Sequence, residues 1–114
     1  MVLMTLSTHV LDVEAGRPVP GVPVRVDLLD GDGNTESWRP VGAGITAPDG
    51  RATDLVPPGA WAPGRWRLVF DTAAVHGAAS FWPRVTIELT VREAVHHHIP
   101  LLLARHGYTT YRGS

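Results

Sequence analysis

The sequence predicts an all-β fold, an antiparallel β-sandwich, from three observations. Apolar and polar residues alternate along several short segments, the period-two signature of strands with one buried face. Glycine and proline, 12 and 10 of 114 residues, punctuate those segments rather than forming a low-complexity tract. The connections are too short for the crossovers that parallel pairs need. Roughly seven or eight strands and one short helix result.

The first strand covers residues 4–12. Met4, Leu6, Thr8 and Val10 take one face; Ser7, His9 and Leu11 take the other. His9 therefore points away from its strand's apolar set. After a turn at 14–18, the second strand, 22–29, turns Val22, Val24, Val26 and Leu28 inward and Pro23, Arg25 and Asp27 outward. Pro23 argues for an edge position, because proline cannot donate to a ladder. Residues 30–34, Asp-Gly-Asp-Gly-Asn, form a turn. A third strand, 38–46, is loosened by Gly42 and Gly44. The Pro48-Asp49-Gly50 turn then presents Arg51 at the start of the next segment.

Residues 56–60 read as a loop, with Pro57-Pro58 excluding a helix. The strand at 64–71 places Trp66, Leu68 and Phe70 on one face and Arg65, Arg67 and Val69 on the other. Residues 71–77 are the one helical segment, with Asp71 as cap, an alanine pair inside and Gly77 as stop; His76 is a surface residue there. After Pro83, Val85, Ile87, Leu89 and Val91 alternate with Thr86, Glu88 and Thr90, a half-buried strand. In the strand at 96–103, His97, Ile99, Leu101 and Leu103 share the inner face. His96, His98, Pro100 and Leu102 point out. A hairpin through 104–107 leads into the last strand, 108–112.

The length fits a single domain spanning 1–114. A net charge of -1 supplies no basic footprint, so no nucleic-acid partner is assigned. No signal-like N-terminus and no membrane-length apolar run is visible. The absence of cysteine excludes a disulfide frame and a thiolate zinc site, and it suits a reducing compartment. A cytoplasmic location is the expectation.

His9 and His98 both face outward. If the terminal strands share a sheet, both imidazoles stand on one outer face and can hold a water between them, one ring acting as base. A nearby guanidinium would disfavour their protonation and keep a base available. The competing reading is two solvated side chains. His96 and His98, two apart on a strand, could also chelate, with His9 as a third ligand, but no acidic residue completes a shell and no metal is assigned. A serine nucleophile has no Gly-x-Ser-x-Gly turn to support it.

The segments Leu6-Ser7-Thr8-His9-Val10-Leu11-Asp12, Asp49-Gly50-Arg51, His96-His97-His98-Ile99-Pro100-Leu101-Leu102-Leu103 and Tyr111-Arg112-Gly113-Ser114 resemble the 5-hydroxyisourate hydrolases, the transthyretin-related enzymes of urate breakdown. Gly16-Arg17-Pro18 and Phe81-Trp82-Pro83 fit the same pattern, and the likeness covers essentially the whole chain. It implies a transthyretin-like sandwich of two four-stranded sheets with one short helix. It also implies a homotetramer with sites between dimers, and hydrolysis of the six-membered-ring lactam of 5-hydroxyisourate without metal or organic cofactor. By position, the catalytic residues fall on His9, Arg51 and His98, and the substrate contacts on His9, Arg51, Tyr111 and Ser114. Two departures stand out: His97 replaces a common tyrosine, and Ala104-Arg105 replaces a usual Ser-Pro. The non-enzymatic alternative is a transthyretin-like carrier of a small aromatic ligand.

Overall fold

The computed structural model describes residues 4–31, 36–77 and 80–113. The turn expected at Asp32, Gly33 and Asn34, the N-terminal residues 1–3 and the Ser114 contact lie outside that set. Two sheets face each other. In the first, β1 (Leu6–Asp12) is flanked on one side by two short strands in succession, β2 (Arg17–Pro18) and β5 (Arg51–Ala52). On its other side lie β8 (His97–Leu103) and then β9 (Tyr108–Thr110). The fourth position of this sheet is thus split between β2 and β5, making it five-stranded by count. The second sheet has the order β4 (Ser37–Ile45), β3 (Pro23–Asp30), β6 (Gly64–Phe70), β7 (Val85–Val91).

The alternation read from the sequence decides which side chains fill the space between the sheets. Leu6, Val10, Ile99 and Leu101 from the first sheet meet Val24, Val26, Trp66, Leu68 and Phe70 from the second, all buried. Thr8, on the inner face of β1, satisfies its hydroxyl by donating to the Ile99 carbonyl at 2.6 Å. His97 is inward as expected, 5% exposed. Its Nδ1–H donates to the Val95 carbonyl at 2.8 Å, and its ring stands edge-on to Trp61.

Several expectations are corrected. The sandwich is not wholly antiparallel: β1 and β8 run parallel, with Ser7 opposite His98 and His9 opposite Pro100. The crossover that a parallel pair requires is supplied by the entire second sheet, which lies between them in the chain. Pro23 does not mark an edge, because β3 lies between β4 and β6. Proline is tolerated as the first residue of the strand, and its carbonyl still accepts from the Asp71 amide at 3.0 Å. Met4 is 42% exposed and precedes β1 rather than packing inside.

Asp27 faces outward from β3 yet is only 1% exposed. Arg25 and Arg67 roof it, with Nε–carboxylate distances of 2.9 and 2.8 Å, and Arg67 in turn lies against the Trp38 ring. Burial pushes the Asp27 carboxyl upward, but the hydrogen bonds and charges of the two guanidiniums outweigh it and hold it below the usual carboxylate value. The helix is a single turn, α1 (Ala73–His76), shorter than the expected segment. The N-cap is Thr72 rather than the expected Asp71, although Asp71 Oδ1 accepts the Ala74 amide, and Gly77 closes the turn at φ 73°. Pro58–Ala60 forms one 3-10 turn where a plain loop was expected, since proline at a first helical position loses no hydrogen bond. Among the described residues, no helix is long and apolar enough to cross a membrane.

Candidate active site

The site is built on the outer face of the first sheet. Its first half comes from the Pro48-Asp49-Gly50 turn. The Gly50 amide donates to the Ala47 carbonyl at 2.7 Å and the Ala47 amide to the Arg51 carbonyl at 2.8 Å. Asp49 Oδ1 accepts the Arg51 amide at 3.0 Å. Gly50 has φ 81°, and a Cβ there would lie 2.6 Å from the Val10 carbonyl oxygen. Only glycine allows the turn to press against β1 in this way. That approach delivers Arg51 directly opposite His9 in the antiparallel β1–β5 pair. Directly opposed residues put their side chains on the same face of the sheet.

His9 is then oriented by the same turn. Its Nε2 lies 2.8 Å from the Asp49 carbonyl oxygen. A carbonyl can only accept, so His9 Nε2 carries a hydrogen and donates it.

The second half comes from β8. His98 Nδ1 lies 2.8 Å from Ser7 Oγ, and the same oxygen lies 2.8 Å from His96 Nε2. The chain end closes over this ring: the Gly113 amide donates to the His98 carbonyl at 2.7 Å, as an isolated antiparallel bridge. A Cβ on Gly113 would come within 2.8 Å of His98 Cδ2, so the backbone contact there also requires glycine. His98 is half-buried. Burial and the neighbouring charges of Arg51, His96 and His9 hold its pKa below the ordinary imidazole value of 6.5.

The structure therefore brings His9, Arg51 and His98 onto one face, by three different strands. Tyr111 is 56% exposed on the segment that leads to Gly113. Sequence reasoning missed Ser7 as a site residue and weighed His96 only as a chelator. Ser7 shares the outward face of β1 with His9, two residues away, and that shared face was the available signal. Among the described residues, no three His, Asp or Glu side chains converge closely enough to hold a metal ion. Two concavities of about 950 and 310 Å³ lie elsewhere, beside Arg25 and Pro83 and beside Trp82 and His106. The imidazole face is open, not enclosed within one chain.

A lowered His98 pKa has a direct kinetic consequence. The neutral base persists as pH falls through 6.5 and is lost only below it. If His98 is the base, the acidic limb of a kcat/KM profile should have its midpoint below 6.5. A midpoint above that value would separate the limb from His98.

A family model described as "HIUase/Transthyretin family" matches residues 6–113. The chain is 38% identical over 113 residues to the 5-hydroxyisourate hydrolase of Salmonella dublin, covering 96% of this chain and 80% of that one. It superposes on the solved 5-hydroxyisourate hydrolase of Klebsiella pneumoniae with a TM-score of 0.79 and 32% identity, over 98% of this chain and all of the other. Transthyretin from Sparus aurata superposes with a TM-score of 0.84 at 24% identity, over 96% of each chain, a likeness of fold alone. The family model spans both histidine-bearing strands and the Arg51 turn, and with these relatives it places the chain in the HIUase/transthyretin family.

Proposed function

We propose that this protein, as one domain over residues 1–114, hydrolyses 5-hydroxyisourate by opening the lactam of its six-membered ring in urate degradation. The observation that carries the mechanism is the direct pairing of His9 with Arg51 beside a half-buried His98 of lowered basicity. A water held between the imidazoles gives a proton to a ring nitrogen as its oxygen attacks the lactam carbonyl carbon. The carbonyl electrons move onto oxygen, and the Arg51 guanidinium faces that developing charge. One such donor lowers the barrier by about 3 kcal/mol in comparable sites. Collapse of the tetrahedral adduct breaks the C–N bond, and the proton returns to the leaving nitrogen. The product is a ring-opened carboxylate. Each of these roles is filled by a side chain, so the scheme draws on no metal and no organic cofactor.

Tyr111 is assigned to substrate contact, a reading supported by the Gly113 bridge, which draws its segment to His98; Ser114 is assigned the same role from the family likeness alone. The site face is open, and Leu11 and Leu102, paired across β1 and β8, remain partly exposed on it. A homotetramer that covers this face would enclose the site and bury those side chains. A cytoplasmic location fits a chain without cysteine. A carrier built on the same fold would have no use for a water-holding imidazole pair.

The test is an ultraviolet assay of freshly generated 5-hydroxyisourate with and without the protein, repeated after exhaustive chelation. Accelerated decay that survives chelation is the expected result; no acceleration would overturn the reading. Sedimentation at micromolar concentration should show a tetramer, and a stable monomer would remove that part.

A further inference from the structure

We propose that Ser7 is a positioning residue that sets the tautomer of His98 and links it to His96 in a proton relay. This rests on the hydrolytic reading above and goes beyond its His9–Arg51–His98 set. Ser7 is buried, and its single hydroxyl lies 2.8 Å from two imidazole nitrogens, His98 Nδ1 and His96 Nε2. The two rings are 6.4 Å apart between centroids, so the hydroxyl spans them. The placement follows from the parallel ladder, which sets Ser7 opposite His98.

A hydroxyl has one hydrogen to give. If Ser7 donates to one ring, it must accept from the other, so the two tautomers are coupled. In one arrangement Ser7 accepts from Nδ1–H of His98 and donates to Nε2 of His96. In the other, Ser7 donates to His98 Nδ1, and His98 carries its proton on Nε2. With Nδ1 committed to Ser7, Nε2 is the only ring nitrogen of His98 left for a water or substrate. The groups whose charges act on His98 are Arg51 from β5, His9 from β1 and His96 from its own strand's approach. Acting as the base requires that Nε2 be bare. The first arrangement follows: His98 presents a bare Nε2, and His96 waits with a bare Nε2 on Ser7.

The proton balance is closed. His98 Nε2 takes the proton from water, Nδ1 releases its own to Ser7 Oγ, and the serine hydrogen passes to His96 Nε2. Ser7 is unchanged, His98 ends neutral as the Nε2–H form, and the positive charge rests on His96. His96 is the more exposed of the two rings within the chain, so the charge moves to the better hydrated side chain. Reversal lets His98 Nε2–H deliver a proton to the leaving nitrogen as Nδ1 is refilled through Ser7. His98 thereby serves as base and then acid without holding a full charge beside Arg51.

Two measurements decide it. Long-range proton–nitrogen correlation spectra of the substrate-free protein should show His98 protonated at Nδ1 and bare at Nε2. In Ser7→Ala the preference should relax toward the Nε2–H form that isolated imidazole side chains favour. Kinetically, Ser7→Ala should lower kcat by about 10-fold or more with KM within about 3-fold, and Ser7→Thr, which restores the hydroxyl, should recover most of it. His96→Ala, at an exposed position, should lower kcat without unfolding the chain. An Nε2–H His98 in the wild type, or unchanged kcat in Ser7→Ala, overturns the proposal. Absence of hydrolysis by the wild type would instead remove the function, while the spectra would still decide the Ser7 bond.

Discussion

His98→Asn is expected to lower turnover by about 10²-fold or more while leaving the sandwich folded. Asparagine is close in size to histidine and can still meet Ser7 Oγ, so β8 keeps its register against β1. What disappears is an imidazole whose basicity burial and neighbouring charges have lowered. His9→Asn should have an effect of the same order, because the second imidazole that holds the water is gone and the shorter amide cannot keep the Nε2 bond to the Asp49 carbonyl. Arg51→Lys tests the third member: a compact ammonium cannot reproduce planar two-point contact with a developing oxyanion. The decay of fresh 5-hydroxyisourate measures all three, with circular dichroism as the fold control. Wild-type rates throughout would remove the imidazole-and-guanidinium mechanism.

Removal of Tyr111 through Ser114 should be comparably damaging, by about 10²-fold, because positioning errors near 1 Å at a reacting centre are worth that much. The fold should survive, since β9 ends at Thr110 and its pairing to β8 through Leu101, Leu102 and Leu103 is untouched. The site would not survive: the Gly113 amide no longer covers the His98 carbonyl, and Tyr111 is lost. Gly113→Ala separates these two contributions. It keeps Tyr111 but sets a methyl 2.8 Å from His98 Cδ2 and 3.0 Å from its carbonyl oxygen, so the ring or the strand must shift. A large loss in both variants assigns the effect to the placement of His98. A loss only on truncation assigns it to the residues removed, and full activity in both withdraws Tyr111 and Ser114 from the site.

What could be read from the sequence was whatever repeats locally. Inward and outward faces follow from a period of two, so β7 was legible along its whole length, and β8 at every position but Pro100, which was expected outward and is buried. The outward His98 and the inward His97 followed from Ile99, Leu101 and Leu103 alone. The turn at Asp49-Gly50 was legible for the same reason, because its chemistry lies within a few residues. The pairing of His9 with His98 rested on the supposition that the terminal strands share a sheet, and Arg51 joined them through family likeness, since alternation says which face a side chain takes but not which strand lies beside it.

Strand partners, direction and register belong to tertiary structure. β1 and β8 lie parallel because the second sheet forms their crossover, and no local pattern distinguishes that from an antiparallel pair. The pairing of β5 on β1 sets Arg51 opposite His9, and it exists only because Gly50 lets the turn approach the Val10 carbonyl. Asp27 looked like an ordinary outward charge; the roof that buries it needs Arg67, forty residues away in the chain. Ser7 looked like a neutral strand residue, and its two imidazole partners lie 89 and 91 positions distant. The sequence by itself determined the sandwich, its inner faces and the turn that presents Arg51. The assembled sheet alone decided that one buried hydroxyl holds two imidazoles, because a hydrogen bond depends on positions in space that strand register sets and sequence spacing does not.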